Sequence, residues 1–335
     1  MAQRPPLPDY KAFSIHHPAS LKPLRQGLVY LLARGLLFLA ARLSLPRLQA
    51  LGRALGSLAY RVDARQRNLS LVQLELALPG LSATERKVVA RRSMEGQGMT
   101  VLELMALARL RRAGVPLLRT EGEELLVEAH ARGRGVVLVT AHAANWELLP
   151  IVLERRRIRA LAVVSTNANP RINRILGEIR RFEYMDVAER GSETSARQLL
   201  SCLKRGDVLI LAIDADIEAQ GVFVDFFGIP ANTSRAPASL ALKLDAPLLT
   251  YFDARQPDGT HVMRFREVPV TPEIRAAEDP VRALTQAVSD QAEAHVRAHP
   301  EQWMWNHRRW KRRPPGEAPA AAAPAGGGDP GRAGR

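Results

Sequence analysis

The 335-residue chain carries 48 Lys and Arg against 34 Asp and Glu, a formal charge of +14, and is 46% apolar and 24% charged. That balance excludes disorder as the main state and points to anionic partners: nucleic acid, phospholipid headgroups or an acidic protein. A single cysteine, Cys202, excludes an internal disulfide framework and any multi-thiolate zinc cluster, and 5% aromatics weakens a single-strand nucleic-acid reading, which needs stacking platforms.

After Pro5, Pro6 and Pro8, residues 28–45 read LVYLLARGLLFLAARLSL, with Arg34 in the middle and Arg42 near the end. A membrane span needs about 20 nearly uninterrupted apolar residues, and an arginine at mid-depth costs roughly 3 kcal/mol unless it snorkels. Leu48, Leu51, Leu55 and Leu58, interleaved with Arg47, Arg53 and Arg61, repeat the amphipathic theme at helical spacing. A helical pair lying at a membrane interface fits this pattern better than a clean span; amphipathic helices capping a soluble core are the alternative. No small-residue cleavage site follows the apolar run cleanly, and the run begins late, so no cleavable signal peptide is predicted.

Residues 71–112 are predicted mainly helical, with an apolar stripe through Val88, Val89, Met94, Val101, Leu102, Met105 and Leu110. A helix over 123–131 ends at Gly133, and Gly135 opens GVVLVTA, a continuous β-branched run of the kind that forms a buried parallel strand. The alternation continues with a helix over 145–153, a strand over 159–165, helices over 171–182 and 195–204, and the strand DVLILAI over 207–213. Strands over 247–252 and 261–268 and a helix over 281–298 follow. This order predicts an α/β fold, with a mostly parallel central sheet flanked by helices. The sequence predicts a division into an N-terminal membrane-associating helical segment (1–65), an α/β domain (66–313) and a disordered Pro/Ala/Gly tail (314–335).

Ligands of open α/β sheets bind beyond the carboxyl ends of the strands. GVVLVTA runs into His142, Asn145 and Glu147, and DVLILAI into Asp214 and Asp216. Positions five apart on an ideal helix point about 140° from each other. His142 and Glu147 therefore meet only if His142 lies in the turn before the helix and Glu147 in its first turn. An imidazole held by a carboxylate has a fixed tautomer and raised basicity, as a general base requires. The alternative is a satisfied histidine with a dipole-matched glutamate at a helix N-terminus. Arg180 and Arg181 close a predicted helix, where an arginine either pins a phosphate or oxyanion or is a solvated helix-end charge. GVFVDFFG, from Gly221 to Gly228, combines loop glycines with three phenylalanines; it is either a cleft element or a hairpin packed on the sheet. Thr233 and Ser234 are placed to cap a helix beginning near Ala236 and to aim free N–H groups at an anion. There is no G-x-S-x-G elbow, and Cys202 beside Leu200 and Leu203 reads as core. His307, Arg308, Arg309, Lys311, Arg312 and Arg313 interleave with Trp303, Trp305 and Trp310, a cluster suited to nucleic acid, an anionic headgroup layer or glycolipid phosphates.

Four segments, HAANWELL at 142–149, NPRINRIL at 169–176, DADIEAQGVFVDFFGIPANTS at 214–234 and PEQWMWNHRRWKRRPPG at 300–316, stand in the order in which the bacterial lipid A biosynthesis acyltransferase family has its motifs. The chain from about 133 to 316 resembles that family, which lies within the wider lysophospholipid acyltransferase superfamily. Asp214-Ala215-Asp216 departs from the pattern, because relatives commonly carry an amide after the first aspartate. The resemblance implies a membrane-associated acyltransferase on the cytoplasmic face of the inner membrane. It would move a fatty acyl chain from acyl carrier protein or acyl-coenzyme A to a hydroxyl of a lipid A precursor or related glycolipid. The implied catalytic pair is His142 and Glu147, with Asn145, Arg180, Asp214, Asp216, Gly228 and Thr233 at the substrate site. No metal, cofactor or nucleic acid is implied, and the implied partners are the donor, the acceptor and an anionic membrane surface. The +14 charge favours an acidic carrier protein as donor. A thioester is already activated, so the protein has only to deprotonate the acceptor, stabilise the oxyanion and hold two amphiphiles together. A lysophospholipid or a mannosylated phosphoinositide would be an acceptor for the same motifs. A basic scaffold binding membrane or nucleic acid is the non-enzymatic alternative.

Overall fold

The β-branched runs form strands buried on both faces. In the computed structural model, which describes residues 7–8, 10–13, 22–112, 116–190, 195–216 and 221–316, β2 (Val136–Thr140) and β5 (Val208–Ala212) pair in parallel at the centre of a seven-stranded sheet. The spatial order is β1 (Leu118–Glu121), β9 (His261–Glu267), β8 (Leu248–Arg255), β2, β5, β3 (Ala160–Val164) and β4 (Met185–Glu189). The β8–β9 pair is antiparallel and the other pairs are parallel. Side chains alternate across the sheet as the pleat requires: Val137, Val139, Leu209 and Leu211 enter one core, and Val136, Leu138, Val208 and Ile210 the other. The prolines 5 and 6 and the tail beyond 316 lie outside the described residues.

The first core is covered by α3 (Ala64–Ala77), α8 (Ser195–Lys204), α9 (Ala236–Leu244), α10 (Pro280–Ala298) and the hairpin of β6 (Gly221–Phe226) and β7 (Ile229–Ser234). The second is covered by α2 (Leu45–Val62), α4 (Ala83–Arg112), α5 (Glu123–Ala131) and α6 (Leu149–Arg156). The 30 residues of α4 make a rod about 45 Å long. Helix α2 crosses it at Gly52, Gly56 and Gly98, so closely that a Cβ on Gly56 would lie under 3.0 Å from the Met94 carbonyl and Glu95 Cα.

The helical pair placed at an interface by the sequence therefore divides. Helix α2 belongs to the packed body, whereas α1 (Lys22–Ala40) presents Leu24, Leu28, Leu31, Leu32 and Phe38 outward. No helix among the described residues is long and apolar enough to cross a membrane. Within the seven-stranded sheet two strands go beyond the sequence pattern: β1 and β4 lie at its edges and are short and half-buried, so their charged residues mask any apolar run. The helix predicted from 145 starts instead as a 3-10 turn, Trp146–Leu148, and becomes α-helical at Leu149 with Pro150 in its first turn.

Candidate active site at the sheet switch point

From β2 the chain passes through α6 to β3, on one side, and from β5 it passes through the hairpin and α9 to β8, on the other. Adjacent parallel strands whose connections leave in opposite directions open a crevice at their carboxyl ends. His142 stands at the end of β2 and Asp214 at the end of β5. His142 Nδ1 lies 2.7 Å from Asp214 Oδ1, and the His142 backbone N–H donates to Asp214 Oδ2 at 2.7 Å. Trp303 Nε1 donates to the same Oδ2 at 2.8 Å, and His307 Nε2 donates to the Asp214 carbonyl at 2.8 Å. Among the described residues His142 Nε2 has no hydrogen-bond partner and the ring lines the cleft.

The electrostatics follow from these contacts. Burial alone would push the Asp214 carboxyl up, but the adjacent His142 and its hydrogen bonds outweigh burial and hold it well below the usual carboxylate range. Burial disfavours the His142 imidazolium, yet Asp214, with Glu147 behind it, raises its pKa above the ordinary value. Burial pushes His307 down to about 4, so it is neutral near pH 7, with its proton on the nitrogen that faces the Asp214 carbonyl.

The direct His142–Glu147 contact read from the sequence is replaced by another arrangement. Arg180, which caps the C-terminus of α7 (Pro170–Ile179), faces both Glu147 oxygens: Nε donates to Oε2 at 3.1 Å, and Nη2 bonds Oε1. Asp214 takes the place on the imidazole because β5 is the hydrogen-bonded neighbour of β2, while Glu147 has moved on into the 3-10 turn, toward α7. Both side chains, with His142 and His307, line a cleft of about 470 Å³ whose remaining wall is mainly apolar, including Leu149, Ala162, Met185, Ile210 and Tyr251. The turn that carries His142 holds Ala144 at φ 46°, a strain of about 1–3 kcal/mol that surrounding bonds must hold in place.

Several candidates lie off this cleft. Asn145 is buried, with its amide nitrogen on Glu103 Oε2 at 2.9 Å. Asp216 receives the Arg312 backbone N–H at 2.6 Å and its guanidinium, and Asn232 Nδ2 at 3.3 Å. Thr233 lies within β7, where its hydroxyl accepts from Arg309 Nη2 at 2.5 Å and donates to the Ala231 carbonyl at 3.0 Å. The N-cap position of α9 is held by Arg235 rather than by Thr233 or Ser234. Gly228 and Phe227, both with positive φ, form the two-residue turn of the β6–β7 hairpin. Phe226 and Phe227 are core residues, and Cys202 is buried with its thiol pushed up to about 12 by burial.

The tryptophan and arginine cluster also departs from its expected place at a headgroup layer. Trp303, Trp305, Trp310 and Arg309 are fully buried. Trp303 packs 5.6 Å from the Phe226 ring and Trp305 lies 6.1 Å from Phe227, centroid to centroid, so the indoles stabilise the wall behind Asp214. Trp303 and His307 are thus site residues that sequence reasoning assigned elsewhere. Glu103, Asp253, Arg255 and His261 were not singled out at all; the available signal was Glu103, an acid inside the apolar stripe of α4. Among the described residues no group of three or more His, Cys, Asp or Glu side chains is arranged to hold a metal ion.

Comparison with known proteins gives this site a context. The chain is 28% identical over 285 residues to the lipid A biosynthesis lauroyltransferase of Escherichia coli K12, covering 84% of this chain and 91% of that one. It is 26% identical over 293 residues to the palmitoleoyltransferase of the same organism, covering 85% and 91%. It is 29% identical over 197 residues to the phosphatidylinositol mannoside acyltransferase of Mycobacterium tuberculosis H37Rv, covering 56% and 58%. The family model described as bacterial lipid A biosynthesis acyltransferase matches residues 16–312, from α1 through the sheet to the indole-lined wall behind Asp214, and the chain belongs to that family.

Proposed function

We propose that the protein transfers a fatty acyl chain from a thioester to a hydroxyl of a lipid A precursor or related glycolipid, with His142 as general base. The observation that carries this reading is the His142–Asp214 pair at the mouth of an apolar cleft: Nδ1 is fixed on the carboxylate and Nε2 is left for a proton. The acceptor oxygen attacks the thioester carbonyl while its proton passes to His142 Nε2. The tetrahedral oxyanion then collapses, the carbon–sulfur bond breaks, and the departing thiolate takes the proton back from the imidazolium. Asp214 stabilises that imidazolium through the buried, charge-assisted contact. Arg180 is anchored through Nε and Nη2 to Glu147, which leaves Nη1 as an oxyanion donor on the cleft wall.

Placement at a membrane surface is part of the same proposal. Helix α1, whose outward face is rich in leucine, is tied to the cleft rim: Gln26 Nε2 donates to the Ala168 carbonyl and Asn169 Nδ2 to the Gln26 carbonyl, both at 3.1 Å. Immersing that face would bring the cleft mouth to the depth at which acyl chains and sugar hydroxyls meet. The formal +14 charge favours an acidic carrier protein as donor, through a faster, salt-sensitive encounter. A mannosylated phosphoinositide acceptor is the second reading, supported by the likeness to the mycobacterial enzyme. Mass spectrometry of both acceptors after incubation with purified protein and acyl thioester tests the proposal. A mass gain of one acyl group on either glycolipid supports it, and no gain on either overturns it.

A further inference from the structure

The turn between β2 and the cleft is held from behind by four hydrogen bonds to two consecutive residues. Ala144, at φ 46°, donates its N–H to the Gln302 carbonyl at 2.8 Å and accepts from Thr100 Oγ1 at 2.8 Å. The Asn145 N–H donates to Asp253 Oδ2 at 2.9 Å, and its side-chain amide to Glu103 Oε2 at 2.9 Å. The two carboxylates are joined in turn. Arg255 Nη2 donates to Glu103 Oε2 at 2.9 Å, His261 Nδ1 lies 2.6 Å from Asp253 Oδ2, and His261 Nε2 lies 2.9 Å from Arg255 Nη1. Glu103, Asn145, Asp253 and His261 are fully buried, and none of them lines the cleft.

A buried ionic cluster is weak support for stability, because desolvation offsets the attraction between its members. This one is also incomplete: among the described residues Asn145 Oδ1 and Asp253 Oδ1 are buried with no hydrogen-bond partner, which adds a further cost. What the cluster does achieve is geometric. Its members come from α4 (Thr100, Glu103), β8 (Asp253, Arg255) and β9 (His261), and they converge on two consecutive residues, Ala144 and Asn145. Those two residues are the middle pair of the four that separate His142, which faces Asp214, from Glu147, which faces Arg180.

We infer that Thr100, Glu103, Asp253, Arg255 and His261 are positioning residues that clamp the Ala144–Asn145 turn and thereby set the reach of His142 and Glu147 into the cleft. The inference rests on the proposed role of His142. Proton transfer needs heavy atoms about 2.6–3.2 Å apart, and a misplacement of about 1 Å costs on the order of 10²-fold. Relaxing the clamp should therefore slow the chemical step and leave thioester binding alone.

The test compares kcat, KM for the thioester and melting temperature in full-length Thr100→Val, Thr100→Ser, Asp253→Ala, Asp253→Asn and His142→Ala. Thr100→Val keeps the shape and removes the hydroxyl that donates to the Ala144 carbonyl and accepts from Arg255 Nη2 at 3.3 Å, both bonds of the clamp, so it should fold and lose about tenfold in kcat, with KM within about twofold; Thr100→Ser should restore the rate. Asp253→Ala should lose about 100-fold, while Asp253→Asn, which can still accept from the Asn145 N–H, should recover most of that loss. Folded Thr100→Val and Asp253→Ala at the parental kcat, beside an inactive His142→Ala, would overturn the clamp alone. His142→Ala at the parental rate would overturn the general-base reading and the clamp with it.

Discussion

Replacing Asp214 by asparagine tests the catalytic pair with almost no change of shape. The carboxylate offers Oδ1 to His142 Nδ1 and Oδ2 to two fixed donors, the His142 backbone N–H and Trp303 Nε1. If the new amide nitrogen took the Oδ2 position, both donors would be left unpaired in the interior, at about 1–3 kcal/mol each. The nitrogen therefore turns toward His142 Nδ1, which must then accept a hydrogen bond. The imidazole proton moves to Nε2, the atom that has to receive the proton of the acceptor. A wrong-tautomer change of this kind lowers kcat by roughly 10⁴-fold. The pH profile supplies a second readout. In the parent, Asp214 raises the His142 pKa above 6.5, so kcat/KM should climb with pH through a midpoint above that value. Asp214→Asn removes the main cause of the rise and leaves burial, so the midpoint should fall. Rates of acyl transfer between pH 5 and 9, with melting temperatures alongside, check both effects. Folded Asp214→Asn enzyme with more than a third of the parental kcat and an unmoved midpoint would refute the reasoning.

Glu147→Gln loosens the Arg180 fork and should lower kcat by about 10–100-fold, and combining it with Arg180→Ala should add little, because both act on one oxyanion donor; fully multiplicative losses in a double-mutant cycle would separate their roles. Leu28→Asp with Leu32→Asp, at positions 58% and 59% exposed, should leave the melting temperature unchanged and reduce cosedimentation with anionic vesicles at least tenfold, given about 1 kcal/mol or more for each leucine face removed from water. Gly56→Ala forces α2 away from the α4 backbone and should destabilise the fold by about 1–3 kcal/mol in urea titration. Protonated His142 is favoured in the fold, so its contribution to stability is present below about pH 6.5 and is lost as pH rises through the raised folded value; Asp214→Asn should flatten that part of the stability profile.

The strand and helix alternation was legible because β2 and β5 are buried on both faces and need unbroken apolar runs. The location of His142 and Asp214 at strand ends followed from the same runs. Their pairing did not, since they lie 72 residues apart and meet only because β5 inserts between β2 and β3, an order that no local pattern encodes. Glu147, five residues from His142, was the visible carboxylate, and the 3-10 turn carries it to Arg180 instead. The C-terminal indoles misled for a related reason: the segment from Trp303 to Trp310 is irregular, so no periodicity distinguishes a buried wall from an interfacial belt. In α2 the spacing of Gly52 and Gly56 did hold the packing information, because two glycines one turn apart open a groove for a facing helix, here at Gly98.

The most direct test of the account is transfer itself, with purified full-length protein, an acyl thioester and a lipid A precursor, read by mass spectrometry of the acceptor beside His142→Ala of matched folding. The parent should give an acceptor heavier by one acyl group, and His142→Ala a rate lower by about 10²–10⁴-fold. An acylated product formed by folded His142→Ala at close to the parental rate would contradict it.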